Sequence, residues 1–305
     1  MINSFSGPLT FFRQPPGQDL RTVDAAVIGL PMDLAVSNRA GARFGPRSIR
    51  ESSAQLAWGE CWPWGFDPFD RLKVADFGDI EFEYGNLKSF RTAATQFYRD
   101  CAAKDVVPIG LGGDHHVTAA ALDGLVPDES DTPIALLQFD AHTDTTEGPD
   151  TQHGTMFGHA LARGAIDDAS TVRVGVRTAS SGDGGLNIAP DRLMSEPPGA
   201  IADLIHERLR NRRVYITFDI DCLDPSCAPG TGTPVPGGPS TLMILRLLRS
   251  LGARCKDRPL TVVGIDLVEI STPYDHAEIT SLAGCQILQE LICLLTVCRE
   301  AQQSG

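Results

Sequence analysis

The sequence predicts an α/β fold with three layers, in which helices flank a doubly wound, mainly parallel sheet. Short β-rich segments alternate with helical segments along the 305-residue chain, and parallel strands need such helical crossovers between them. The composition is that of an ordinary globular protein, since 42% of the residues are hydrophobic and 21% are charged. A chain of this length can bury a large hydrophobic core.

Seven segments rich in β-branched and aliphatic residues predict buried strands. They span 25–30, 72–78, 105–113, 133–140, 171–178, 213–221 and 260–269. Helical patterns between them span 45–58, 86–104, 117–125, 200–211, 240–251 and 279–301. Pro46 marks the first turn of one helix, and Asn86 and Ser240 are predicted N-caps of two others.

Residues 23–300 contain no internal repeat and no linker-like segment, so we expect a single domain over residues 23–305, preceded by an extended arm over residues 1–22. The N-terminus has neither the basic start nor the apolar core of a signal peptide, and no apolar run reaches the ~18 residues of a membrane span. The eight cysteines include no CxxC pair, which favours reduced thiols. The sequence therefore predicts a cytoplasmic protein.

The formal net charge of -13 and the absence of clustered basic residues argue against binding to nucleic acid or to an anionic membrane. Phosphate groups are neutralised by Lys and Arg side chains, which this chain does not concentrate anywhere. A small cationic molecule suits an acidic protein better.

Residues of the types that bind metal ions follow the strand predicted at 133–140. This strand ends in Asp140, and His142 and Asp144 follow at every second position. In an extended chain, residues two apart project to the same side, so the three side chains are expected to converge. Open α/β sheets bind ligands at the carboxyl ends of their strands.

Three further strands are predicted to deliver polar side chains to the same edge. These residues are Asp114, His115 and His116 after 105–113, Asp219 and Asp221 at the end of 213–221, and Glu269 at the end of 260–269. Buried carboxylates are costly unless cations compensate them. Two divalent cations neutralise four aspartates, and a ligand set rich in oxygen favours Mn²⁺ over Zn²⁺.

These motifs resemble, in order and approximate spacing, the signatures of the ureohydrolase (arginase and agmatinase) family. The resemblance runs from about residue 24 to 298 and includes GGDHH, FDAHTD, HGTMF, DIDCLDP and LVEISTPYDHAEIT. HGTMF, DIDCLDP and SAQLAW are most similar to the bacterial agmatinase branch. The resemblance implies an arginase-like fold, one catalytic domain over 23–305, two Mn²⁺ per subunit, and a homo-oligomer, either a trimer or a hexamer.

The resemblance also implies a ligand set for each metal. His115, Asp140, Asp144 and Asp219 correspond to the ligands of one Mn²⁺, and His142, Asp140, Asp219 and Asp221 to those of the other. Asp140 and Asp219 are then expected to bridge the two ions. His116 departs from the family pattern, and we expect it to be a neighbour of the metals and not a ligand. The histidines outside these motifs, His159, His206 and His276, are expected at the surface or in supporting positions.

In the ureohydrolase family, a hydroxide that bridges the two metals attacks the carbon of a guanidinium group. Three residues of this chain correspond to catalytic residues of that reaction. Glu269 matches the residue that pairs with guanidinium nitrogens. Asp144 matches the residue that relays a proton to the leaving amine. His153, in QHGTMF, matches a loop histidine that shuttles protons and contacts substrate.

The identity of the guanidine compound is expected to depend on residues 145–152, TTEGPDTQ. Glu147 and Asp150 suit a substrate that ends in an ammonium group and would repel a carboxylate. This favours agmatine, cleaved to putrescine and urea, over arginine. The compounds 4-guanidinobutyrate and 3-guanidinopropionate stay open as alternatives, because Arg39 or Arg43 could approach a carboxylate.

Two other function classes fit these residues less well than hydrolysis at a binuclear centre. A mononuclear, deacetylase-like zinc hydrolase would need fewer carboxylates than this chain offers. A non-catalytic regulatory homologue would be expected to have lost ligands, and none of the six is missing.

Overall fold

One eight-stranded sheet organises the computed structural model, which describes residues 6–126, 132–179 and 184–304. The strand order is β2-β1-β3-β8-β7-β4-β5-β6, and all neighbouring strands are parallel. The strands are β1 (Ala25–Leu30), β2 (Val74–Asp79), β3 (Val107–Gly112), β4 (Ala135–Phe139), β5 (Val172–Val174), β6 (Leu186–Ile188), β7 (Arg213–Asp219) and β8 (Thr261–Val268). The predicted doubly wound α/β fold is confirmed.

Eight α-helices connect the strands of the described chain. They are α1 (Gly45–Leu56), α2 (Leu87–Ala102), α3 (Val117–Leu125), α4 (Met156–Ala162), α5 (Pro190–Ser195), α6 (Pro198–Leu209), α7 (Thr241–Cys255) and α8 (Ile279–Ser304). The predicted caps form, since the Asn86 side chain accepts from the Ser89 amide and Ser240 accepts from the Met243 amide. The sequence did not predict β6, α4 and α5, which are three, seven and six residues long and too short to show a period.

The sheet separates two hydrophobic cores, as a three-layer fold requires. In β4, Leu136 packs in a core with Leu122 of α3, while its neighbour Leu137 packs in the opposite core with Leu248 of α7. This alternation follows from the two-residue period of a strand. Helices α2, α3 and α4 cover one face of the sheet, and α1, α6, α7 and α8 cover the other.

Helix α8 is long and apolar enough to cross a membrane by length and composition alone, but 83% of its most apolar window is buried inside the molecule. Leu288, Leu291 and Ile292 belong to the core beneath the sheet. The apolar composition of α8 is therefore accounted for by packing.

The described part of the N-terminal segment packs against the domain. Phe11 and Phe12 are buried, and the Phe11 amide donates to the carboxylate of Asp76 in β2. Residues 1–5 of the predicted arm lie outside the described residues. The division into an arm and a domain at residue 23 stays a prediction.

Candidate metal centre

Four neighbouring strands in the middle of the sheet, β3, β8, β7 and β4, deliver the predicted site residues to one edge. His115 follows β3, Asp140 follows β4, and Asp219 ends β7. The Nδ1 atom of His115 lies 3.2 Å from Asp140 Oδ2, 2.9 Å from Asp144 Oδ2 and 3.1 Å from Asp219 Oδ2. Residues as far as 104 positions apart along the chain are thus brought within ligand distance of one point.

A second group shares Asp140 with the first. The Nδ1 atom of His142 lies 3.4 Å from Asp140 Oδ1 and 3.2 Å from Asp221 Oδ2. Asp140 therefore presents one carboxylate oxygen to each imidazole, as a residue between two cations would. Asp219 approaches His115 through Oδ2, while its Oδ1 accepts a hydrogen bond from the Asp221 amide at 2.8 Å. The bridging roles stay predictions.

Local backbone geometry aims these side chains. The amide of His142 donates to Asp140 Oδ1 at 2.7 Å, which closes a tight turn directly after β4. Asp144 and Glu269 have φ angles of 53° and 65°, in the left-handed region. This conformation costs non-glycine residues roughly 1–2 kcal/mol and is common at functional sites, where the surroundings hold it.

The donor set fits divalent cations. His115 Nε2 lies 2.8 Å from the hydroxyl of Thr217, and if it donates there, Nδ1 keeps its lone pair. Nδ1 has no hydrogen bond of good geometry within the described structure, although three carboxylates surround it. A lone pair facing carboxylate oxygens is repulsive unless a cation lies between them, and the Thr217 contact orients the ring as in known metal sites.

Electrostatics lead to the same conclusion. Asp140, Asp144, Asp219 and Asp221 are all less than 10% exposed. Burial raises the pKa of Asp144 to about 6, and the charge of Asp140 adds to this effect. Burial lowers the pKa of His142, but Asp140 and Asp221 outweigh it and raise the value to about 12. The carboxylates therefore favour a positive charge in the cluster. A bound divalent cation supplies that charge, and the imidazole of His142 can then stay neutral.

Glu269 lies beside this cluster and is buried. Its Oε1 accepts from the amide of His115 at 2.9 Å and lies 2.8 Å from Nδ1 of His153. Its Oε2 has no hydrogen-bond partner within the described residues. Burial lowers the pKa of His153, but the hydrogen bond to Glu269 outweighs it and raises the value to about 9. Oε2 of Glu269 therefore keeps its capacity to accept a hydrogen bond.

A cavity of about 230 Å³ opens onto the cluster. Part of its wall is formed by predicted metal ligands, namely His142, Asp144 and Asp219. The rest is mainly neutral, with the hydroxyl residues Ser37, Thr143, Thr146, Thr178 and Thr233, together with His153. No Lys or Arg is among the described residues that line it.

Neither acidic residue predicted to select the substrate lines this cavity. Glu147 is exposed, and Oδ2 of Asp150 accepts from Arg91 of α2 at 2.6 Å. The two arginines considered as carboxylate ligands are engaged elsewhere: Arg43 with buried Asp33, and Arg39 over the ring of Tyr274 at 4.9 Å. Arg43 and Asp33 instead line a separate cavity of about 690 Å³ that holds none of the predicted site residues.

His116 is buried, and neither ring nitrogen has a hydrogen-bond partner within the described chain. Burial lowers its pKa to about 4, and the nearby charge of Arg91 acts in the same direction, so the ring is neutral. It belongs to neither group of potential ligands. His159 and His206 each contact a backbone carbonyl away from the cluster, those of Gly148 and Arg258.

Two supporting residues were not identified from the sequence. Ser37 contacts His153, and Thr217 contacts His115. Thr217 could have been found from the sequence, because it lies two residues before Asp219 and therefore on the same side of β7. No sequence pattern identifies Ser37, since it lies on a loop 116 residues before its partner His153.

Comparisons with known proteins agree with this geometry. Residues 23–293 match the arginase family. An agmatinase of Chromobacterium violaceum is 43% identical over 298 residues, which cover 96% of this chain and 90% of that protein. A solved structure of a hypothetical agmatinase from Burkholderia thailandensis has a TM-score of 0.91 and 38% identity over 99% of this chain and 94% of its own. Proclavaminate amidino hydrolase from Streptomyces clavuligerus has a TM-score of 0.88 and 35% identity over 97% of this chain and 100% of its own.

Proposed function

Since the chain belongs to the arginase family and is a ureohydrolase enzyme, we propose that it hydrolyses agmatine to putrescine and urea. The observation that carries this proposal is the cluster of two imidazoles and four carboxylates beside Glu269, at the end of a cavity without Lys or Arg in its described wall. Relatives named agmatinase at 40–43% identity support the choice of substrate.

Two Mn²⁺ ions are proposed as the cofactors. His115 and Asp144 would hold one, His142 and Asp221 the other, with Asp140 and Asp219 shared between them. When bound, such a pair supplies the Lewis acidity that makes hydroxide available as a nucleophile near neutral pH.

The remaining steps fall to the protein's own side chains. The unpartnered Oε2 of Glu269 accepts an N–H of the guanidinium and orients its carbon. Asp144, in the cavity wall, takes the proton released by the attacking water and passes it to the leaving nitrogen. His153 exchanges protons with solvent from the same wall. Water adds OH to the carbon and H to the leaving amine, which gives urea and putrescine.

The cavity wall supports an amine tail over a carboxylate tail. A carboxylate entering it would find no Lys or Arg among the described residues of the wall to pair with. Hydroxyl side chains such as Thr146 and Thr178 can accept hydrogen bonds from an ammonium group. Hydrolysis of 4-guanidinobutyrate or 3-guanidinopropionate is the alternative, and it shares the same chemistry.

The test is urea release by Mn²⁺-loaded protein from agmatine, arginine, 4-guanidinobutyrate and 3-guanidinopropionate, measured in parallel. Agmatine is expected to have the highest kcat/KM. A higher kcat/KM for either carboxylate-bearing guanidine would replace the substrate assignment while keeping the reaction class. No urea from any of the four compounds would contradict the reaction class itself.

We further propose that the enzyme acts in the cytoplasm as a homo-oligomer, either a trimer or a hexamer. Light scattering of the full chain would test the assembly.

A further inference from the structure

The loop between β1 and α1 contacts His153 from the side opposite Glu269. The Ser37 amide donates to His153 Nε2 at 3.1 Å, and the Ser37 hydroxyl oxygen lies 2.7 Å from the same nitrogen. On the other side of the ring, Nδ1 lies 2.8 Å from Glu269 Oε1. The imidazole is therefore held at both nitrogens.

These contacts assign the proton on the ring. An amide N–H can only donate, so in the neutral ring the Nε2 atom that it faces is the acceptor and carries no proton. The Nδ1 atom of the neutral ring then carries the proton and donates it to Glu269 Oε1. In the charged ring Nε2 carries a proton as well, and the Ser37 hydroxyl oxygen at 2.7 Å can accept it. Ser37 therefore contacts the ring in both charge states.

A chain of buried hydrogen bonds fixes the loop that carries Ser37. The amide of His153 donates to the carbonyl of Ala35 at 3.2 Å, and the amide of Ala35 donates to Asp114 Oδ2 at 2.9 Å. Asp114 is fully buried, and its Oδ1 accepts from the amide of His116. The loop is thus anchored to the residues that follow β3, next to His115.

We propose that Ser37 is a positioning residue that holds the His153 ring at Nε2, so that in the neutral ring the proton lies on Nδ1 and is directed at Glu269. This inference rests on the proposed function, in which His153 exchanges protons during guanidinium hydrolysis. The imidazole then begins each turnover with its orientation already set. Preorganisation of this kind contributes to the catalytic step more than to substrate affinity.

The first test is spectroscopic and independent of activity. The full chain, labelled with ¹⁵N-histidine and loaded with diamagnetic Mg²⁺, is compared with a His153→Asn variant to assign the His153 ring signals. Once the ring is deprotonated, above about pH 9, Nε2 is expected to have the shift of an unprotonated nitrogen and Nδ1 that of a protonated one. The opposite pattern, or a mixture of the two tautomers, would overturn the proposal.

The second test is kinetic and uses Ser37→Ala, which keeps the amide and removes the hydroxyl. Loss of one hydrogen bond predicts a kcat for agmatine about three- to tenfold lower with KM nearly unchanged. Ser37→Thr, which restores a hydroxyl, should recover most of kcat. Ser195→Ala, which removes an exposed hydroxyl bonded to the Asp191 carbonyl, should match wild type.

The outcomes separate this inference from the proposed function. An unchanged kcat in Ser37→Ala, or a rise confined to KM, would overturn the positioning role. A wild-type protein that releases no urea would contradict the proposed function, while the ¹⁵N shifts would still decide the role of Ser37.

Discussion

Oδ2 of Asp150 accepts a hydrogen bond from Nη1 of Arg91 at 2.6 Å, so the loop that carries His153 is tied to α2. Arg91 also donates to Asp123 of α3 at 2.7 Å, which makes it a bridge between the loop and two helices. An anchoring role for Asp150 is thus an alternative to the predicted contact with the substrate ammonium.

The two roles of Asp150 predict different kinetics for Asp150→Asn. If Asp150 anchors the loop, kcat/KM falls by a similar factor for agmatine and for 4-guanidinobutyrate. If Asp150 holds the ammonium, agmatine alone is affected and the ratio of the two kcat/KM values shifts. We expect an unchanged ratio. Arg91→Met should reproduce the effect, and the double variant should add little to it.

Thr217 is expected to tune metal affinity through His115. Thr217→Val removes the hydroxyl 2.8 Å from His115 Nε2 while keeping the shape of the side chain. Loss of such a contact lowers metal affinity by roughly 10- to 100-fold, which Mn²⁺ titration of metal-free protein would measure. Thr296→Val, at a buried hydroxyl bonded within α8, is the matched control. Equal affinities in all three proteins would refute the orienting role.

Arg177 holds the long loop after β7 against the site. Its guanidinium donates to five backbone carbonyls, those of Gly175, Asp221, Cys222, Leu223 and Val235. Lysine has three donors and cannot satisfy them all. Arg177→Lys should therefore lower the free energy of unfolding by about 2 kcal/mol, measured by urea denaturation. Arg192→Lys, at a half-exposed pair with Glu196, should change it by less than about 0.5 kcal/mol. Equal effects of the two substitutions would contradict this role.

Asp224 should make the stability of the same loop pH-dependent. Hydrogen bonds from Ser226 lower its pKa from 3.8 to about 2, with help from the Gly237 and Gly238 amides. A pKa lowered in the folded state contributes stability above the unfolded value, and this stability is lost as pH falls from about 4 toward 2. Wild type should therefore be more stable than Asp224→Asn at pH 7, with a difference that shrinks below about pH 4. A difference that is the same at every pH would contradict this assignment.

The sequence predicted the part of the site that lies on strands. Asp140, His142 and Asp144 follow a buried strand with a two-residue period, and the carboxyl ends of parallel strands share one edge. The local sequence pattern is sufficient to predict these ligands, because the parallel sheet brings the ends of distant strands together. The same holds for Glu269 at the end of β8.

Contacts made by loops could not be predicted in this way. Ser37 and Asp150 act through partners 116 and 59 residues away, His153 and Arg91, and no periodicity relates them. A loop acid such as Asp150 looks the same in sequence whether it faces a substrate or pairs with a helix. The substrate-binding role of Glu147 and Asp150 accordingly stays a prediction.

The most direct test of the binuclear centre is the number of Mn²⁺ ions bound per chain in wild type and in Asp140→Ala. Asp140 presents one oxygen toward each imidazole, so its loss should affect both metals. Metal analysis after equilibrium dialysis is expected to give two ions per wild-type chain and none retained by the variant. One ion per wild-type chain, or a fully loaded and active Asp140→Ala variant, would contradict the shared, binuclear centre.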